Sequence, residues 1–285
     1  MTPPTAGEPV VFDGAAGKIV GDRWPAMGER HGIVLLLHGG GQTRHSWFRT
    51  AAVLADAGWE SFALDARGHG DSDWSSDADY GHSALIDDLS RVIDQFGERP
   101  VLVGASMGGM TSLVGHGERD VARALVLVDI VPRVEPEGVR RIMDFMGGHP
   151  AGFASLEEVA DAVRAYNPHR TRPPNPEGLR KNVRLREDGR WYWHWDPAFL
   201  QIDDEPTRDI NVERARAAAA TVRIPTLLVR GGESDIVSAA GVAELRALIP
   251  DAQDVEVSGT GHMVAGDDND VFTHRVLEFL ADLPA

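Results

Sequence analysis

The sequence predicts an α/β protein built on a mostly parallel sheet. Three observations carry that expectation: short runs apolar on both faces, helix-periodic segments between them, and one long break in this rhythm in the second half of the chain. A strand whose two faces are both covered by helices reads as a continuous apolar run instead of an alternating one.

The first such run is Ile33–Leu37, which ends in His38 and three glycines. Val101–Val103 and Leu125–Val128 follow the same design, and "TLLVRGG" at 226–232 repeats it after Pro225. Each stops at a Gly, His or Asp and leads toward polar, helix-like text. Helical periodicity shows in "SALIDDLSRVIDQF" (83–96) and "AGVAELRALI" (240–249), and a short strand-like "DVEVSG" precedes His262. Strands alternating with helices favour a sheet joined by right-handed crossovers.

Between about 131 and 222 the rhythm is lost. This stretch is rich in Arg and Pro ("TRPPNP"), opens a helix at "SLEEVADAVRAY" with Ser155 and Glu158 spaced as a capping box, and carries the aromatic run "WYWHWDPAF". It is expected to be a mainly helical insertion. The division is therefore a core of 1–130 and 223–285 with a cap of 131–222.

Composition narrows the function classes. Net charge is -16, from 44 acidic against 28 basic residues, so phosphate backbones and anionic membrane surfaces are repelled, and neither nucleic acid nor membrane is expected as a partner. The chain has no cysteine, which excludes disulfides and thiolate chemistry. "IVLLL" is the longest aliphatic run, far short of the roughly 20 residues a membrane span needs. The opening "MTPPTAGEPV" has neither a basic start nor an apolar run, so a secretory leader is not expected and a cytoplasmic location is.

Gly104-Ala105-Ser106-Met107-Gly108 matches G-x-S-x-G between an expected strand and an expected helix. Small residues at 104 and 108 suit a strained turn that projects a serine hydroxyl. A serine needs a base and an orienting acid to act as a nucleophile. Downstream, in the order serine, acid, histidine, come Asp235 in "VRGGESDIVS" and His262 in "VSGTGHMV". The glycines of "LLLHGGGQTRHSW" let backbone amides approach a substrate, so Gly40, with Gly41 as the alternative, and Met107 are the expected oxyanion donors. No G-K-[ST] follows, which disfavours a phosphate loop.

Together "HGGG" (38–41), "DARGHGDS" (65–72), "GASMGG" (104–109), "RGGESD" (230–235) and "GTGH" (259–262) resemble the α/β-hydrolase superfamily. The resemblance implies a mostly parallel eight-stranded sheet, a triad of Ser106, Asp235 and His262, and a variable cap at 131–222. Some relatives take the acid from an earlier strand end, where this chain has Asp129; the text after Asp235 and its spacing to His262 favour Asp235. His38, His69 and Asp71 look structural in such proteins, and no metal or cofactor is required.

The implied chemistry is carboxylic ester hydrolysis through an acyl-enzyme, on small to moderately bulky apolar substrates. Trp191, Trp193 and Trp195, with Tyr192 and Phe199 nearby, are candidate pocket walls; the alternative is a hairpin around "EDGR" that packs the cap. On the same triad, a carbon–carbon bond hydrolase or a cofactor-free perhydrolase or haloperoxidase-like enzyme remains a rival. A receptor that keeps the pocket without turnover is the rival of another class.

Overall fold

The computed structural model describes residues 6–167, 175–201, 205–258, 261 and 270–284. Its strands are β1 (Glu8–Asp13), β2 (Lys18–Trp24), β3 (Gly32–Leu37), β4 (Trp59–Leu64), β5 (Val101–Ala105), β6 (Ala124–Val128), β7 (Val183–Leu185), β8 (Trp191–Trp193), β9 (Thr226–Gly231) and β10 (Gln253–Val257). The helices are α1 (Phe48–Asp56), α2 (His82–Ile93), α3 (Met107–Arg119), α4 (Pro136–Gly147), α5 (Leu156–Tyr166), α6 (Glu205–Thr221), α7 (Ala239–Leu248) and α8 (Asp270–Ala281).

Eight strands form one sheet in the order β1-β2-β4-β3-β5-β6-β9-β10. β1 and β2 pair antiparallel, as do β2 and β4, and every other pairing is parallel. The expected mostly parallel eight-stranded sheet is therefore present. Its central strands are buried throughout, as apolar runs on both faces require. Alternate residues feed two cores. Val34, Leu36, Val101 and Val103 pack toward α1 and α8 with Trp47 and Phe272, while Leu35, Leu102, Leu125 and Leu228 pack toward α2, α3 and α7.

Local chemistry fixes the helix ends. Ser238 Oγ accepts the Gly241 N–H at 3.2 Å to start α7, and Pro136 with Glu137 opens α4. At α5 the Ser155 hydroxyl accepts the Glu158 N–H at 3.3 Å, as the capping-box spacing implies. The return bond shifts by one residue, with Glu158 Oε2 accepting from Ala154 N–H at 2.6 Å.

The insertion has its own apolar cluster of Met146, Phe153, Leu156, Val159, Val183, Trp193 and Trp195, contributed by α4, α5 and the β7–β8 hairpin. The aromatic run is thus a strand and its continuation, turned at 186–190 where Arg186 N–H meets Arg190 C=O at 3.0 Å. Helix α6 behaves differently. Its Ala215 and Ala218 pack with Ile86 and Val114, and a Cβ on Gly117 of α3 would meet the Ala218 backbone at 2.5 Å. That contact puts α6 in the helix layer over the sheet. Among the described residues no helix is long and apolar enough to cross a membrane.

Candidate active site

Ser106 stands between the end of β5 and the first residue of α3, with φ 45 and ψ -111. A non-glycine residue adopts such a backbone only when its surroundings enforce it, at a cost on the order of 1–3 kcal/mol. The enforcement is visible. Ser106 N–H donates to Val128 C=O at 3.0 Å, Gly108 N–H donates to His38 C=O at 3.2 Å, and Met110 N–H donates to Ser106 C=O at 2.8 Å. A Cβ on Gly104 would lie 2.4 Å from the Gly108 carbonyl oxygen, and one on Gly108 would lie 2.5 Å from the Leu37 carbonyl oxygen. Both glycines of the motif are thus required by close backbone approach.

The loop after β3 supplies the facing wall. Gly39 N–H donates to Gln42 Oε1 at 3.1 Å, and Gly41 N–H donates to His69 Nε2 at 3.1 Å. Among the described residues the Gly40 and Met107 amides have no such acceptor. Of the two glycines the sequence left open, Gly41 already spends its donor inside the protein and Gly40 keeps its own. Both, with Ser106 and Met107, line one cleft of about 1940 Å³.

His38 and His69 hold this loop. His38 Nε2 accepts the Ala66 N–H at 3.0 Å and Nδ1 bonds the Gly39 carbonyl at 2.8 Å. His69 Nδ1 bonds the Arg67 carbonyl at 3.1 Å, which leaves Nε2 as the acceptor for Gly41. Each ring therefore uses one proton and one lone pair and has to be neutral. Burial pushes the His38 imidazole below its usual range, and burial together with neighbouring His38 pushes His69 down to about 3. Asp71, beside them in sequence, is bound instead by Arg44 at 2.9 Å and Arg184 at 2.7 Å.

The two carboxylates at strand ends have different surroundings. Asp235, after β9, is paired with Arg141 of α4 at 2.7 Å, and its side chain is 31% exposed. Asp129, after β6, is fully buried at φ 49. Its Oδ1 accepts the Gly231 N–H at 3.1 Å and its Oδ2 accepts the Ser234 hydroxyl at 2.6 Å. Ser234 Oγ in turn accepts the Ile236 and Val237 amides, both at 3.1 Å, so Asp129 anchors the loop that carries Asp235. His262 lies outside the described residues.

Trp193 and Trp195 stack at 4.9 Å and 13° and line the cleft, together with Phe145, Met146 and Phe199. Trp191 lies outside that lining; the Arg180 guanidinium sits 5.0 Å over its ring, and its backbone pairs with Phe153 at 2.7 and 2.8 Å. Sequence reasoning missed His194, between these tryptophans. It is buried, its Nδ1 accepts the Gly70 N–H at 2.8 Å, and its Nε2 lies 3.4 Å from the Gly41 carbonyl. Nothing local in "WYWHW" marks it, because both contacts are more than a hundred residues away in sequence.

A strained serine on a strand-to-helix corner, at the carboxyl edge of a parallel sheet and facing a glycine loop, defines the α/β-hydrolase class. The family model for the alpha/beta hydrolase fold matches residues 32–268, and the chain belongs to that family and is a hydrolase. It is 30% identical over 261 residues to the esterase Rv0045c of Mycobacterium tuberculosis, an alignment covering 88% of this chain and 83% of that protein. It is also 30% identical over 261 residues to the mouse sn-1-specific diacylglycerol lipase ABHD11, covering 87% and 80%. Among solved structures, an α/β hydrolase from Novosphingobium aromaticivorans superposes with a TM-score of 0.81 at 24% identity, over 96% of this chain and 98% of that one.

Proposed function

We propose that the protein is a serine carboxylesterase acting on small to moderately bulky apolar esters. The observation that carries this reading is the strained Ser106 beside an amide, Gly40, that the fold leaves without an acceptor while its neighbour Gly41 is occupied. Ester hydrolysis is also what the names of the esterase and lipase relatives describe.

In this mechanism His262, carried over from its sequence motif, takes the Ser106 proton as Oγ attacks the ester carbonyl. The amides of Gly40 and Met107 stabilise the tetrahedral oxyanion, the alkoxide leaves with the proton from His262, and water releases the acyl group by the same route. For the acid that orients the imidazole, sequence spacing favoured Asp235. Its pairing with Arg141 and its exposure favour Asp129 instead, since an orienting carboxylate works best when buried. Trp193 and Trp195 bound the acyl side of the cleft, and Trp191 is assigned to cap packing.

A fluorophosphonate probe and p-nitrophenyl esters of increasing chain length test the reading. Labelling at Ser106 alone is expected, with Ser106→Ala lowering kcat by roughly 10⁶. Labelling elsewhere, or hydrolysis surviving in that variant, rules out the serine mechanism; a labelled protein that turns over no ester or lactone but cleaves a vinylogous diketone identifies the carbon–carbon bond hydrolase.

A further inference from the structure

Among the places where the cap meets the core is one turn, residues 67–71. Gly68 C=O accepts the Asp196 N–H at 2.9 Å, Gly70 C=O accepts from Arg184 Nη2 at 2.8 Å, and Gly70 N–H donates to His194 Nδ1 at 2.8 Å. Arg184, Asp196 and His194 all belong to the β7–β8 hairpin or the residues just after it. The same turn carries His69, which accepts the Gly41 N–H. Phe199, also from the cap, closes on the His69 ring edge-to-face at 4.8 Å.

His194 reaches past the turn. Because its Nδ1 accepts from Gly70, its proton sits on Nε2 and faces the Gly41 carbonyl at 3.4 Å. The two peptide groups flanking Gly41 are therefore gripped from both sides, the amide by a core histidine and the carbonyl by a cap histidine. Glycine has almost no conformational preference of its own, so the direction of the adjacent Gly40 amide depends on such outside contacts.

We infer that His194 is a positioning residue for the reaction: by holding the Gly41 carbonyl from the seated cap, it aims the Gly40 N–H at the oxyanion. This rests on the assignment of Gly40 under the proposed function. The cap then contributes to turnover through one named hydrogen bond as well as through the walls of the cleft. Small misplacement of an oxyanion donor is costly, since the donor has to be preorganised toward the charge that develops in the transition state.

The test compares His194→Ala, His194→Asn and His194→Gln on p-nitrophenyl acetate, an ester too short to need the cap walls. Asn keeps an acceptor near the Nδ1 position for Gly70 but falls short of Gly41, whereas the Gln amide reaches the Nε2 position. His194→Asn is expected to keep a melting temperature near that of the parent while kcat falls about 10- to 100-fold with KM little changed. His194→Gln is expected to recover much of that kcat, and His194→Ala to lose both kcat and stability. A parental kcat in His194→Asn, a loss that appears only in KM, or kcat losses that track melting temperature across all three variants would overturn the inference. Ser106→Ala is run alongside: if it is silent while His194→Asn is fully active, only the positioning role falls, and if it still hydrolyses the ester, the serine reading itself falls.

Discussion

Arg141 Nη2 lies 2.7 Å from Asp235 Oδ2, across the junction between helix α4 and the loop after β9. A carboxylate so engaged is a weak partner for an imidazolium, and Asp129 is the buried alternative. Asp129→Asn is therefore expected to lower kcat on a short ester by roughly 10⁴, the scale seen when an orienting acid is lost. Asp235→Asn should change kcat by less than about tenfold, on the scale of a half-exposed ion pair. Because Asp129 also anchors Ser234, melting curves of both variants accompany the kinetics. A reversal of the two kinetic results returns the acid to Asp235.

The backbone of Ser106 offers a second, independent check. Ser106→Ala removes the hydroxyl but keeps the Cβ that makes φ 45 costly, whereas Ser106→Gly removes both. Relief of strain on the order of 1–3 kcal/mol outweighs the roughly 0.5–1 kcal/mol that glycine costs through the unfolded chain. In urea titration the glycine variant is expected to be more stable than the alanine variant by about 1 kcal/mol. Equal stabilities would mean that this corner stores no strain.

Which parts of this molecule were legible in the sequence follows from where their causes lie. β3, β5, β6 and β9 announce themselves because both faces are buried, and α2 and α7 because one face is. β1, β2 and β4 were not assigned from their sequences: β1 is a mostly exposed edge strand, and "WESFAL" of β4 breaks its apolar run with Glu60 and Ser61. The alanines at 217–220 carry no pattern of their own, and what they pack on, α3 at Gly117, lies about a hundred residues away in sequence. At the site, the serine corner was legible because a local turn demands its glycines. The choice between Gly40 and Gly41 rests on His69, and the choice between the two acids on Arg141, and no window of sequence contains those contacts.

Trp193 both walls the cleft and sits in the apolar cluster built on α4, α5 and the β7–β8 hairpin. It stacks on Trp195, meets Phe153 edge-to-face at 5.0 Å and Phe145 at 5.4 Å, and lines the cleft. Trp193→Ala is expected to destabilise the protein by ~3–5 kcal/mol and to move the optimum toward longer acyl chains. Trp193→Phe should cost much less, since the indole Nε1 has no hydrogen-bond partner among the described residues. Trp191→Ala should leave the chain-length profile in place. Relative kcat/KM values that are unchanged in Trp193→Ala and Trp193→Phe would reduce Trp193 to a packing residue.

The buried histidines set the response of stability to acid. His38, His69 and His194 each accept a backbone N–H, from Ala66, Gly41 and Gly70 respectively, so protonating any of them sets two donors against each other. Burial lowers all three, His69 to about 3 and His194 well below its usual range. In the unfolded chain the same rings titrate near 6.5. Below that pH the unfolded state takes up protons that the native state refuses, so stability falls as pH falls, by up to about 1.4 kcal/mol per pH unit for each ring over the window in which its folded form stays neutral. For His69 the decline continues toward pH 3. Between pH 6.5 and 5 few carboxylates titrate, which isolates the histidine contribution. Unfolding free energy measured in urea should be nearly flat from pH 8 to 7, then drop steeply toward pH 5. His194→Asn, with one such ring fewer, should show a shallower slope in that window by about one proton. A parent protein whose stability is level from pH 7 to 5, or a variant with an unchanged slope, would show that these imidazoles do not titrate as their hydrogen bonds require.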